Sequence, residues 1–392
     1  MTISARQQAV HNALRIIEKN ISTFANCYPD DTTQNNVYPF RRARDGFSEG
    51  DNIGWTTGFL PGVFWLAYEL SGDEIYRQAG EHHVTSFAHR IHNEIDIDTH
   101  DLGFLYTLSS VVPWRLTGNT QARDAALKAS ELLMARYLDK IGVFQAWGKL
   151  DDPTMRGNTI IDSLMNMPLL YWAGKMTGEA RFKQAAHTHT LNVCKNIIRA
   201  DNTTFHTFFW DTETGEPLRG VTTQGYADNS CWARGQAWAI YGFTLGYHYT
   251  GDALMLDAAQ RCADYFLDHL PADHVPYWDM TFNEGSDEER DSSSGAIAVC
   301  GLHELIRHLP DTAEYAERKQ RYQTALDNIL DSLIANYTPT DQPEHASYNT
   351  LLLHSVYDKP KSVGVDEGCL WGDYFFMEAL IRVLKPDWEF YW

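Results

Sequence analysis

Long apolar segments alternate along the chain with amphipathic ones. Six of them, GFLPGVFWLAYEL, LGFLYTLSSVVPWRL, SLMNMPLLYWAGKM, GQAWAIYGFTLGYHY, SGAIAVCGLHELIRHL and GDYFFMEALIRVL, are apolar almost all round. A helix without a polar face has no side to offer water, so these predict helices buried on every side. The intervening segments, such as ALMLDAAQRCADYFLDHL and the N-terminal stretch from Ser4 to about Phe24, carry one apolar stripe and one polar face.

A recurring turn joins the two kinds. It reads ELSGDEIY around Gly72, RLTGNTQA around Gly118, KMTGEARF around Gly178 and HYTGDALM around Gly251, with a degenerate copy, HLPDTAEY, at Pro310. In each, Gly or Pro stops a helix and an Asp, Glu, Asn or Thr starts the next. The turns are separated by roughly 46, 60, 73 and 59 residues, too uneven for a solenoid of fixed period. Six buried helices ringed by six half-exposed ones predict an all-α fold, an (α/α)6 six-hairpin barrel, with residues 1–392 forming one domain. No Pro-, Gly- or Ser-rich linker interrupts it.

Charge narrows the partners. With 32 basic and 52 acidic residues the net charge is −20, which repels phosphate backbones and anionic membranes and argues against nucleic acid as a ligand. No stretch reaches the ~18 apolar residues of a membrane span. The N-terminus lacks a cationic start followed by an apolar run, and the six cysteines form no CxxC pair or His/Cys metal spacing. Free thiols in a cytoplasmic protein, monomeric or a small homo-oligomer, are expected.

In a barrel of hairpins the N-terminal ends of the inner helices share one rim. There the chain places Trp55, His100-Asp101, Asp162, Trp232 with Arg234, Asp291 before three serines, and Trp371 with Asp373. Taken singly, each aspartate is an ordinary N-cap. As a set, they suggest four carboxylates converging on one mouth, with Asp101 and Asp162 pressed against apolar helices that raise a carboxyl's pKa. Two acids in different environments are what acid/base sugar chemistry needs. Trp55, Trp147, Trp232, Trp238 and Trp371 are core residues one by one and a sugar-stacking wall together. Arg234, at the start of a buried helix, needs an anion: a protein carboxylate such as Asp228, or a substrate carboxylate. His206 and Gln224 lie in the long segment before that helix.

The strings HDLGFLYTLS, NTIIDSLMNMPLLYWA, QGYADNSCWARGQAWAIYGF and DEGCLWGDYFFMEALIR closely resemble the unsaturated glucuronyl hydrolases of glycoside hydrolase family 88, and the resemblance extends over nearly the whole chain. It implies a barrel that acts after polysaccharide lyases, which leave a uronic acid with a C4=C5 double bond at the non-reducing end of an oligosaccharide. By similarity Asp162 protonates C4 and assists water at C5, Asp101 supports it, and no metal or organic cofactor takes part. The resemblance carries substrate contacts to Trp55, His100, Trp147, His206, Gln224, Trp232, Arg234 and Trp238, with Arg234 and Gln224 on the uronate. Some members that prefer sulfated disaccharides have Ser-x-x-Ser-x-Lys before the GVDEG string. Here DKPKSV stands in its place, with Lys359 and Lys361 as looser cations. The rival readings are an unsaturated rhamnogalacturonyl hydrolase, a sugar 2-epimerase and a non-catalytic sugar-binding barrel.

Overall fold

The computed structural model describes residues 3–44 and 46–392. In chain order, α1 (Ile3–Thr23), α2 (Phe59–Ser71) and α3 (Glu74–His92) come first. α4 (Leu102–Tyr106), a π-helical turn (Thr107–Val111) and α5 (Val112–Thr117) form one continuous rod, which α6 (Thr120–Met134) follows. Strands β1 (Tyr137–Leu138), β2 (Val143–Phe144) and β3 (Asn158–Ile160) precede a 3-10 turn (Ile161–Asn166), α7 (Met167–Thr177) and α8 (Ala180–Ile197). Then come β4 (Thr207–Trp210), β5 (Pro217–Val221), α9 (Ala233–Thr250), α10 (Ala253–Asp268), α11 (Ser292–His308) and α12 (Ala313–Asn336). A short hairpin of β6 (Ser355–Asp358) and β7 (Val363–Glu367) leads into α13 (Leu370–Leu384).

The inner ring follows the apolar segments: α2, the α4–α5 rod, α7, α9, α11 and α13 pack in sequence, and α13 closes against α2. Outside them lie α3, α6, α8, α10 and α12, with α1 filling the last gap against α13, α2 and α12. This is an α/α barrel of six hairpins. Every residue of α9 from Ala233 to Gly246 is buried, whereas α10 buries Met255, Leu256, Ala258, Ala259, Cys262, Ala263 and Phe266, the single stripe of an amphipathic helix.

The four glycine turns behave as the sequence predicts. Gly72, Gly118, Gly178 and Gly251 have φ of 77°, 73°, 78° and 69°, and each donates its N–H to the carbonyl four residues back. A side chain at these positions would meet open space, so glycine is required by its backbone conformation alone. Asp73, Asn119 and Asp252 then cap the following helices through their side chains.

Two inner segments are less regular than their hydrophobic patterns suggest, and a proline explains each. Pro113 has no N–H for the Ser109 carbonyl, and the rod widens into its π turn just before it. Pro168 likewise cannot bond to the Leu164 carbonyl, so the α-helix begins only at Met167 and Asp162 stands on the 3-10 turn ahead of it. The inner helices also hide charge. Arg382 donates to Glu378 Oε1 (2.9 Å), Glu304 Oε2 (2.9 Å) and Tyr241 Oη (2.6 Å), all buried. Burying these ions is tolerable because each is paired.

Candidate active site

The rim at the N-terminal ends of the inner helices is built by short strands. β3 pairs with β4, and β4 with β5, so that Ile160 lies opposite Thr207 and Thr207 opposite Val221. That register sets Asp162, two residues beyond β3, beside His206, one residue before β4, and brings Gln224 in from the end of β5. The Ile161 N–H donates to the His206 carbonyl (3.1 Å). From outside, the buried His189 fixes the same turn: its Nδ1 accepts the Phe144 N–H (3.1 Å), which leaves Nε2 as the donor to Ser163 Oγ (2.8 Å).

Asp101 approaches from the neighbouring rod. A Cβ on Gly103 would lie 2.3 Å from the Asn166 Cα, so only glycine lets the rod and the 3-10 turn come this close. Asn166 spans the junction, its Oδ1 accepting the Phe104 N–H (2.8 Å) and its Nδ2 reaching Asp101 Oδ1 (3.5 Å). Thr99 Oγ1 donates to Asp101 Oδ2 (2.7 Å). His100 lies between the two acids, its Nε2 3.3 Å from Asp101 Oδ1 and 3.4 Å from Asp162 Oδ1, with 1% of the side chain exposed.

These surroundings drive the two carboxyls apart. Burial raises Asp162, the nearby Asp101 adds to this, and the opposing pull of His100 and Arg234 leaves it at about 7. Burial acts on Asp101 too, but His100 and the hydrogen bonds from Thr99 and Asn166 outweigh it and hold Asp101 below its ordinary value. Burial lowers His100, and the two carboxylates reverse this to a net rise. The outcome is an acid that exchanges its proton near neutral pH beside an ionised one. Asp162 Oδ1 has no hydrogen-bond partner among the described residues, and neither ring nitrogen of His100 has one. His100, Asp101 and Asp162 also offer three donor atoms within 4.8 Å of one another, enough to ligate a cation.

The other predicted residues divide into two groups. Trp55 and Trp147 are half-buried. Trp55 stacks on Trp371 (5.1 Å between ring centroids) and donates Nε1–H to Tyr357 Oη (2.9 Å), and Trp147 bridges to Thr99. Trp232, Trp238 and Trp371 are buried, at 4%, 1% and 0% exposure, so most of the expected tryptophan wall is packing beneath the mouth. Trp238 lies between Phe104 and Phe375. His206 sits edge-on to Trp232 and bonds through Nε2 to Gln224 Oε1 (3.1 Å), while Gln224 Nε2 donates to the Tyr357 carbonyl (3.2 Å). Burial takes His206 down to about 3, so it is neutral here.

Arg234 finds its anion in Asp291 (3.0 Å), not Asp228, which instead accepts the Thr222 N–H (2.8 Å). Its guanidinium also donates to the Val356 and Tyr357 carbonyls, the latter at 2.8 Å, and lies over the Trp232 ring (4.5 Å). Both terminal nitrogens thus serve protein acceptors. Asp291 and Asp373 do not join the mouth, contrary to the sequence expectation: both are buried and fully engaged by protein donors. Sequence reasoning missed Thr99, Asn166, His189 and Tyr357. Asn166 was the most accessible of these, one turn after Asp162 in IIDSLMNMP, whereas Tyr357 comes from a hairpin more than a hundred residues from Gln224.

Residues 28–327 match the model of Glycosyl Hydrolase Family 88. A curated relative, the unsaturated chondroitin disaccharide hydrolase of Streptococcus pneumoniae (strain ATCC BAA-255 / R6), is 43% identical over 98% of this chain and 93% of its own. The crystal structure of unsaturated glucuronyl hydrolase from Streptococcus agalactiae superposes with a TM-score of 0.93 at 43% identity, covering 100% of this chain and 94% of that one. An aspartate-to-asparagine variant of that enzyme, complexed with dGlcA-GalNAc6S, gives 0.86 at 40% identity, with the same coverage of both chains. The chain therefore belongs to glycoside hydrolase family 88 and is a glycoside hydrolase.

Proposed function

We propose that residues 1–392 work as one catalytic domain that releases the 4,5-unsaturated uronic acid from the non-reducing end of lyase-generated disaccharides of the glycosaminoglycan type. The observation that carries this reading is Asp162: a carboxyl held at about 7, with one oxygen that accepts no protein hydrogen bond, beside an imidazole and an ionised second acid. The names of the relatives, which pair unsaturated uronate with chondroitin disaccharide, point the same way and away from pectin fragments.

In the proposed reaction Asp162 gives its proton to C4 of the vinyl ether, and positive charge develops at C5 and the ring oxygen. Asp101 and the ionised Asp162 stabilise that charge. Water adds at C5 while Asp162 takes back a proton, acting as base where it had been acid. The resulting hemiketal opens to a ketone at C5, and the hemiacetal left at C1 collapses and frees the second sugar. His100 lies between the two carboxyls at 3.3 and 3.4 Å and favours their ionised forms. Trp55 and Trp147 offer their exposed faces to the sugars, and the Arg234–Asp291 pair, neutral as a unit, fixes the Tyr357 hairpin beside them.

Both lysines that could meet a sulfate are already engaged. Lys361 Nζ is 2.7 Å from Asp358 Oδ2, and Lys359 is ion-paired with Glu289. We therefore expect unsulfated disaccharides to be turned over faster than 6-sulfated ones. The six cysteines are all free, which fits a reducing, cytoplasmic setting. Among the described residues no helix is long and apolar enough to cross a membrane.

One assay tests the reaction: the ultraviolet absorbance of the conjugated uronate should disappear as the second sugar is released. Release with the absorbance intact would mean direct attack at the anomeric carbon and would reject the reading. Binding without release would leave a sugar-binding barrel.

A further inference from the structure

A second donor cluster lies at the opposite rim, where the inner helices end. His248 stands in the last turn of α9, while Glu304 and His308 lie one turn apart at the end of α11. His248 Nδ1 is 3.3 Å from His308 Nε2, and His308 Nε2 is 3.1 Å from Glu304 Oε1. All three donor atoms fall within 4.8 Å of one another. A tetrahedral ion with bonds of about 2.0–2.1 Å holds its ligand atoms about 3.3–3.4 Å apart, so two of the three spacings already suit one.

Hydrogen bonding alone does not account for the arrangement. His308 Nε2 carries at most one proton and faces two neighbours, so it cannot donate to both Glu304 and His248. A cation on the three lone pairs satisfies all of them at once. Glu304 is prepared for that role: it is 2% exposed, and its other oxygen, Oε2, accepts from Arg382 Nη1 (2.9 Å), which aims Oε1 at the imidazoles. Arg382 is held in turn by Glu378 and Tyr241. Arg307 is also on the Oε2 side, 3.8 Å away, and both guanidiniums oppose a cation. Against them stand the carbonyl ends of two helices and a net charge of −20. His248 is exposed, which gives an ion a path from solvent.

We propose that His248, Glu304 and His308 bind one divalent cation of the zinc class, with water completing the coordination, and that the ion fastens α9 to α11 away from the catalytic rim. The test is calorimetric titration of zinc into chelator-treated protein, comparing wild type with His248→Ala, His308→Ala, His308→Gln and Asp162→Asn. The last variant controls for the catalytic donor cluster. We expect the three rim variants, each lacking a direct ligand, to weaken binding by at least the ~100-fold that losing an outer-shell partner can cost, and Asp162→Asn to keep it. Zinc should raise the thermal midpoint of wild type and not of the rim variants, because an ion that binds only the folded state stabilises it. Cobalt in the same site should show the intense visible bands of tetrahedral coordination. Absence of saturable binding, or rim variants that bind zinc as wild type does, would overturn the proposal.

Discussion

Four aspartates occupy equivalent positions at the starts of inner segments, yet they form two pairs with different surroundings. Asp291 and Asp373, ahead of and within the first turns of α11 and α13, are saturated by protein donors. Asp291 receives Ser293 Oγ (2.6 Å) and Arg234 (3.0 Å), while Asp373 receives Tyr38 Oη (3.0 Å), Thr350 Oγ1 (2.8 Å) and the Leu351 and Leu352 N–H groups (2.9 and 3.0 Å). Asp101 and Asp162 face each other across one imidazole, and an oxygen of Asp162 is left over. Asp291 and Asp373 are also shut off from solvent, whereas Asp101 and Asp162 keep 15% and 16% of their side chains exposed. What separates the pair proposed for chemistry from the pair in the framework is access to the mouth and whether the neighbours use up the carboxyl's hydrogen-bonding capacity.

That contrast breaks most sharply at Asp291. Replacing it with alanine strands a buried guanidinium, and we expect a loss of about 3–5 kcal/mol, read by denaturant unfolding. A loss near zero would mean that the two carbonyl acceptors suffice for Arg234. Asp162→Asn should do the reverse, lowering turnover by about 100-fold or more while the circular dichroism spectrum stays unchanged. Near-normal turnover would remove Asp162 from the chemistry.

The pH dependence sharpens the same point. Because the acid must be protonated, turnover should decline as pH rises through about 7. The stability sign follows from the same shift. A carboxyl whose pKa is raised on folding favours the folded state below its unfolded value, and that contribution is lost as pH rises through about 7. Asp162→Asn removes the cost of ionising a buried group, so at pH 8 the variant should melt no lower than wild type. A lower midpoint would mean that ionised Asp162 has structural partners. The smallest effect is expected at the far rim, where Gly251→Ala should cost about 1 kcal/mol through its left-handed backbone and leave turnover unchanged. A fall in turnover there would show that the two ends of the barrel are coupled.

The helical frame was legible because each part of it is a local property. Apolar segments such as that of α9 have no face for water, and the Gly72, Gly118, Gly178 and Gly251 turns need only a glycine and a following cap. Asp101 and Asp162 could be selected because strings around them resemble a family. The deviations were legible only in hindsight, since a proline such as Pro168 shifts a helix start by several residues without changing the hydrophobic pattern. The sequence by itself determined the barrel, through periodicity and local backbone chemistry, and family resemblance nominated the two acids. Tertiary structure alone decided that Arg234 would meet Asp291, that Trp238 would be packing and that His100 would sit between the acids. Those pairings join segments tens to more than a hundred residues apart, and the free energy of an ion or a hydrogen bond depends on which partners the folded chain brings to it.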